Sequence, residues 1–124
     1  MIQVGGIGRE GDSASQEQRI GYGKLVRDRI PEIIEAAGKT AAVRVLDETE
    51  LVPALTAKLA EEAEELRHAG PDDRLEELAD IHEVVTALTE ALGFSTEQVQ
   101  EAARRKRVER GGFRHRLWLD EVSG

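Results

Sequence analysis

The chain contains no cysteine, which excludes disulfides, thiolate metal sites and cysteine nucleophiles. Aromatic residues make up only 3% of it, so a hydrophobic core must be built from Leu, Ile, Val and Ala. No apolar run approaches the roughly 20 residues that a membrane-spanning helix needs. The start of the chain lacks the basic and apolar regions of a signal peptide. These absences predict a cytoplasmic protein that does not enter the membrane.

The 124 residues suffice for one domain with its own core. Residues 1–21 are rich in Gly, Ser and Gln and have no hydrophobic periodicity, which predicts a disordered N-terminal tail. Residues 22–124 are predicted to form a single domain. Ala, Leu, Glu and Arg are abundant and favour helices, so the predicted fold class is mostly all-α. Its expected core is a helical hairpin or a four-helix bundle.

Four helices are predicted from hydrophobic periodicity and from capping residues, with glycines as stop signals. They run from Ile30 to Ala37, from Asp47 or Thr49 to about His68, from about Asp72 to Leu92, and from Ser95 to Gly111. Two further segments, 41–46 and 113–119, have a β-type pattern and could pair with each other. Trp118 in the second segment is predicted to lie in the core or at an interface.

Charge is distributed unevenly along the chain, whose formal net charge is −8. Residues 61–83 hold ten acids and two bases, whereas residues 104–116 hold seven bases and one acid. Such runs are usually solvated helix faces, but an acidic and a basic block also suit a metal site and a phosphate site. The spacing of the acids decides between these interpretations.

The acids form two motifs on the second and third predicted helices. EEAEE at 61–65 has the pattern EExxE, and ELAD at 77–80 has the pattern ExxD. At about 100° per residue, four of these acids fall inside or beside the apolar stripes of their helices. The four are Glu62, Glu65, Glu77 and Asp80.

A turn near Pro71 would bring the two motifs together in an antiparallel hairpin, with Glu65 opposite Glu77 and Glu62 opposite Asp80. Like charges so placed repel, and burying an isolated charge is costly. A divalent cation removes both costs. Mg²⁺, with Mn²⁺ as a substitute, is bound by carboxylates that share it with substrate phosphates. The alternative is an acidic surface in which Glu62 pairs with a Lys or Arg.

These motifs resemble the MazG-like superfamily of all-α nucleoside-triphosphate pyrophosphohydrolases, whose Mg²⁺ signature is EExxE followed by ExxD. Two further stretches resemble its small single-domain, phosphoribosyl-ATP pyrophosphohydrolase-like branch. They are KLVRDRIPEII at 24–34 and KRVERGGF at 106–113, followed by LWLDE. The resemblance covers residues 22–122 in the same order. The chain differs from the family pattern in two places: the spacing between its acidic motifs, residues 66–76, is short, and the tail before Tyr22 has no recognised counterpart.

The resemblance implies a MazG-like fold and Mg²⁺-dependent cleavage between the α and β phosphates of a nucleotide, releasing a monophosphate and pyrophosphate. The implied metal ligands are the same four acids. The resemblance also implies that four basic residues lie near the substrate phosphates, although cations at a helix end also favour the helix dipole. These four are Lys24, Arg27, Lys106 and Arg110.

Glu61 flanks the ligand pairs, and we predict it to be the general base or a residue that supports the ligands. The substrate is left open between a nucleotide removed in house-cleaning of the nucleotide pool and phosphoribosyl-ATP of histidine biosynthesis. An alternative of another class is a non-catalytic helical interaction module. Nucleic acid is not an expected partner, because a net charge of −8 opposes general duplex binding.

The apolar stripes are too broad for one hairpin to bury. Val84 and Val85 widen the stripe of the third helix, and Leu88 and Leu92 extend it beyond the acids. A symmetric second copy could cover this surface, and the resemblance implies a dimer or a tetramer. We therefore predict a homo-oligomer whose interface includes the half of the hairpin distal to Pro71, with the active site near the subunit boundary.

Overall fold

The helices of the structure begin and end close to the signals in the sequence. The structure is a computed structural model, and it describes residues 23–124. The predicted tail, residues 1–21, lies outside the described residues. The described part contains four α-helices and no strand, which confirms the all-α fold class. The helices are α1 (Ile30–Ala36), α2 (Glu48–His68), α3 (Arg74–Ala91) and α4 (Thr96–Arg110).

Reciprocal hydrogen bonds fix the starts of α2 and α4. At α2, the Asp47 carboxylate accepts from the Glu50 backbone N–H at 3.0 Å, and the Glu50 side chain accepts from the Asp47 N–H at 3.1 Å. Ser95 and Gln98 form the same arrangement at α4, at 3.0 and 2.8 Å. Each capping box satisfies N–H groups that have no partner inside the helix. The start of α2 therefore sets the rotational register of the acidic motif that follows it.

The central feature of the fold is the hairpin of α2 and α3, which pack against each other along their lengths. A turn closes it, in which the Asp73 N–H donates to the Gly70 carbonyl at 3.0 Å. Within residues 23–124, α4 contacts α3 and does not contact α2. The buried apolar side chains among the described residues are those of Ile30, Leu55 and Val84.

The predicted pairing of residues 41–46 with 113–119 is wrong for this structure, because neither segment forms a strand. Both segments are open to solvent, and Val45 and Phe113 are each 96% exposed. A lone pair of strands is marginal in water unless it packs on something. Trp118 is 87% exposed and does not lie in the core; its prediction as an interface residue stays a prediction.

Large apolar side chains of α3 also face solvent. Leu75 is 73% exposed, Leu78 52% and Leu92, which directly follows the helix, 53%. Val84 is buried while its neighbour Val85 is exposed, so the broad stripe is only partly covered by α2. None of the helices within residues 23–124 combines the length and apolar character needed to cross a bilayer.

Candidate metal centre

Five carboxylates meet on the facing sides of α2 and α3, and we call them the acidic cluster. Oxygens of Glu61, Glu62 and Glu65 lie within 4.8 Å of one another, and so do oxygens of Glu62, Glu77 and Asp80. Opposite ligand oxygens around one Mg²⁺ are about 4.2 Å apart at its usual bond length. Small side-chain movements would therefore bring either group of three around a cation. Three of the four acids predicted as ligands, Glu62, Glu77 and Asp80, thus share one group, and Glu65 lies with Glu62 in the other.

Helix geometry produces this convergence. Acids three residues apart lie on one face of a helix, so each motif projects a pair toward the other helix. Glu62 and Glu77 occupy the deepest positions and are only 1% and 4% exposed, whereas Glu65 and Asp80 are half-buried. Leu55 on α2 and Val84 on α3 are buried as well. The cluster thus takes positions that would otherwise hold apolar side chains.

Lys58 is the main residue of the site that the sequence reasoning missed. Its ammonium nitrogen lies 2.9 Å from Glu61 Oε1 and 3.2 Å from Glu62 Oε2, and its side chain is 8% exposed. Burial opposes its charge, but the hydrogen bonds to both glutamates outweigh burial and raise the pKa of Lys58. The sequence spacing indicates this contact, because Lys58 precedes Glu61 by three residues and Glu62 by four, and residues so spaced lie on one face of a helix.

Arg27 contacts the other side of the cluster. It lies just before α1, and its guanidinium donates to Asp80 Oδ1 at 2.7 Å. The Arg27 side chain is 49% exposed and that of Asp80 is 18% exposed. The structure thus places a predicted phosphate-binding residue directly on a predicted metal ligand, at the solvent-facing edge of the cluster.

Glu77 is the member of the acidic cluster whose pKa is raised. Burial raises its pKa, and the hydrogen bond with the Glu65 carboxyl and the nearby charge of Asp80 raise it further. Burial penalises the charged form, and like charges add to this penalty. Glu77 therefore retains its proton to higher pH than an isolated glutamate would.

The pKa of Glu61 is shifted in the opposite direction, below its usual value. The hydrogen bond from Lys58 lowers its pKa, burial partly opposes this, and the charges of Lys58 and Lys24 lower it further. Glu61 is thus ionised at neutral pH and can accept a proton or bind a cation. Its role as general base stays a prediction.

The four predicted phosphate-binding residues do not all lie together. Lys24 lines a cleft of about 310 Å³ beside the acidic cluster, together with Lys58 and Glu61. Lys106 and Arg110 are exposed on α4, which does not contact α2. The structure therefore brings Lys24 and Arg27 to the cluster and leaves the two α4 residues on a separate helix.

Comparison with known proteins identifies no family. No family model matches the chain, and no solved structure matches it. An uncharacterized protein of Mycolicibacterium smegmatis is 54% identical to it over 50 residues. This match covers 40% of the chain and 51% of the relative, so the chain spans about half the length of the relative it matches.

Proposed function

We propose that this chain is a Mg²⁺-dependent nucleotide pyrophosphohydrolase of the MazG-like type. It would add water across the anhydride between the α and β phosphates and release a monophosphate and pyrophosphate. The observation that supports the proposal is the convergence of five carboxylates between α2 and α3. Two of them, Glu62 and Glu77, are among the most deeply buried side chains of the hairpin. We also propose a cytoplasmic location and a homo-oligomeric state.

The acidic cluster carries both ion pairs and a high density of carboxylates. Glu62 does pair with a lysine, as the alternative interpretation expected, and Asp80 pairs with Arg27. Among residues 23–124, these five carboxylates are accompanied by three basic side chains, those of Lys24, Lys58 and Arg27. Burial raises the pKa of Glu77, and the neighbouring carboxyls of Glu65 and Asp80 raise it further. A bound divalent cation would offset the negative charge of the cluster and would be shared with the substrate phosphates.

Each residue has a defined task in this proposal. Glu62, Glu65, Glu77 and Asp80 would hold Mg²⁺, with Mn²⁺ as a substitute, and the ion would neutralise phosphate charge and lower the pKa of water. Lys58 pairs with Glu61 and Glu62 and favours the ionised form of Glu61. Glu61 would accept the proton of the attacking water or support the ligands. Positioning and charge neutralisation supply most of phosphoryl-transfer catalysis.

The basic residues would bind the phosphate chain. Arg27 reaches the cluster from the segment before α1, and a guanidinium can contact a phosphate through two parallel hydrogen bonds. A phosphate that binds beside the cation would compete with Asp80 for Arg27. Lys24 lies on the neighbouring cleft. Lys106 and Arg110 would reach the phosphates only from another subunit or after α4 moves.

Mg²⁺-dependent release of pyrophosphate tests the proposal. The full chain is incubated with the canonical nucleoside triphosphates and with phosphoribosyl-ATP, and products are separated by chromatography. We expect a monophosphate and pyrophosphate to appear together and only with Mg²⁺ or Mn²⁺. Stepwise loss of orthophosphate would contradict the mechanism, and no turnover of any nucleotide would favour the non-catalytic helical module.

A matched pair of variants separates the site from the general acidity of α2. Glu62→Gln removes a cluster carboxylate and should abolish turnover. Glu64→Gln alters the same motif at an exposed position, where the carboxylate contacts Arg67 and His68 instead, and should retain turnover. Equal activity of the two variants would show that the cluster is not the catalytic site.

A further inference from the structure

A cleft of about 310 Å³ opens on the flank of α2, beside the acidic cluster. One wall is the segment 23–25, and the other is α2, which contributes Ala54, Ala57, Lys58 and Glu61. Lys58 and Glu61 also contact each other at 2.9 Å and belong to the surroundings of the cluster. The cleft and the cluster are therefore continuous through these two side chains.

The wall on α2 changes character along the helix axis. Ala54 and Ala57 precede Lys58 and Glu61 by four residues each, which is about 6 Å along an α-helix. Leu25 and Gly23 add an apolar side chain and a backbone surface to the opposite wall. The cleft thus has an apolar end formed by small residues and a charged end that includes Lys58 and Glu61, a member of the acidic cluster.

We propose that this cleft binds the nucleoside half of the substrate, with the base against Ala54 and Ala57 and the phosphate chain directed toward the acidic cluster. The inference rests on the proposed function, because that function places the phosphates at the cluster. A nucleotide has the matching polarity, since its base is flat and largely apolar on its faces and its phosphates are charged.

The size of the cleft favours a single nucleoside. Ligand pockets range from about 300 to 1,000 Å³, and this cleft lies at the lower end. Alanine is the smallest side chain that α2 can present without the helix penalty of glycine. The two alanines therefore set the space for the base, and larger residues there would narrow it.

The test enlarges one alanine without changing any charge. Ala57 is exposed at the cleft, so Ala57→Leu should fill the cleft and leave the core intact. We expect it to raise KM about tenfold or more, the effect of altering contacts in an apolar pocket, with kcat changed less than threefold. The increase should be larger for a purine nucleotide than for a pyrimidine nucleotide.

Ala63→Leu is the matched control. Ala63 lies on the same helix, is exposed, and points away from the cleft at about 100° per residue. It should leave KM unchanged for every nucleotide. Circular dichroism and thermal unfolding should show that both variants fold as the wild type does, and Ala54→Leu provides a second variant of the cleft.

Inorganic pyrophosphate identifies which half of the nucleotide the cleft binds. It lacks a nucleoside, so its inhibition constant should be the same for Ala57→Leu and the wild type. If Ala57→Leu weakens the binding of pyrophosphate as much as it weakens the binding of nucleotides, the cleft binds phosphate and the inference is wrong. It is also wrong if Ala57→Leu and Ala63→Leu have the same KM.

Failure of the proposed function gives a different result. In that case the wild type releases no pyrophosphate from any nucleotide, whatever the state of the cleft. Equilibrium binding of AMP and CMP to the wild type and to Ala57→Leu then tests the cleft without turnover. Weaker binding to the variant would support the inference, and equal or undetectable binding would overturn it.

Discussion

Replacement of Lys58 by methionine should strongly destabilise the protein when no divalent cation is present. Methionine preserves the length and helix propensity of the side chain but removes the ammonium that bonds to Glu61 and Glu62. The Glu62 side chain is 2% exposed, so its carboxylate would lose its lysine partner inside the hairpin. Removing one partner of a buried ion pair destabilises a protein by up to about 3–5 kcal/mol.

The lower end of that range applies here. The Glu61 side chain is 37% exposed, and the cleft beside Lys58 admits water. We therefore expect a loss of about 3 kcal/mol, equivalent to a fall in Tm of about 10–20 °C for a domain of this size. Urea unfolding followed by circular dichroism in EDTA measures it. The double variant Lys58→Met/Glu62→Gln should recover most of the loss, because the buried carboxylate is then absent.

Two comparisons test the reasoning. Arg104 forms an ion pair with Glu101 on the surface of α4, and Arg104→Met should have little effect, because exposed pairs contribute little. Excess Mg²⁺ should stabilise Lys58→Met more than the wild type, since a cation at the cluster replaces the lost positive charge. A loss below about 1 kcal/mol for Lys58→Met would refute the role of burial. Equal stabilisation by Mg²⁺ would refute a cation site at Glu62.

Three further predictions concern pH, Arg27 and assembly. In EDTA, the free energy of unfolding should fall as pH rises from about 4.5, the usual pKa of glutamate, through the raised pKa of Glu77, because the folded state binds that proton more tightly than the unfolded state. Unfolding measured at stepped pH should show a flatter pH dependence of stability for Glu77→Gln than for the wild type, and identical pH dependences would contradict the raised pKa. Arg27→Met removes a positive charge from beside Asp80, so calorimetry should show that the variant binds Mg²⁺ at least as tightly as the wild type does. Its KM for the nucleotide should rise, and an unchanged KM would exclude contact between Arg27 and the substrate phosphates. Light scattering should give a multiple of 13.7 kDa for the wild type and a smaller mass for Leu92→Glu, whereas a fully active wild-type monomer would show the oligomer prediction to be wrong.

The sequence predicts the hairpin and its acids well because both depend on local periodicity. The capping box of Asp47 and Glu50 fixes where α2 begins, and the spacing of acids along a regular helix then follows. The turn near Pro71 is short enough to leave one antiparallel arrangement of α2 and α3. The meeting of Glu65 with Glu77 therefore follows from the spacing of the acids and the length of the turn.

Contacts between distant segments could not be predicted in this way. Arg27 and Asp80 are 53 residues apart in the chain, and no helical pattern relates them. The segments 41–46 and 113–119 have β-type patterns, yet pattern alone does not decide whether a strand finds a surface to pack on. Lys58 is a different case, because its spacing from Glu62 was visible but many lysines on helices have that spacing.

The composition of the hairpin interior is the strongest argument that the cluster has a function beyond folding. Among the described residues, the buried apolar side chains are Ile30, Leu55 and Val84, while Lys58, Glu62 and Glu77 are buried beside them. A fold selected for stability alone would fill such positions with apolar residues, since well-packed apolar replacements of buried ion pairs are often more stable. Sites that break the rules of stability in this way are typically functional ones. The proposed cation, shared with phosphates, would account for the burial of the acids, and the ion pairs of Lys58 with Glu61 and Glu62 would stabilise the hairpin around them.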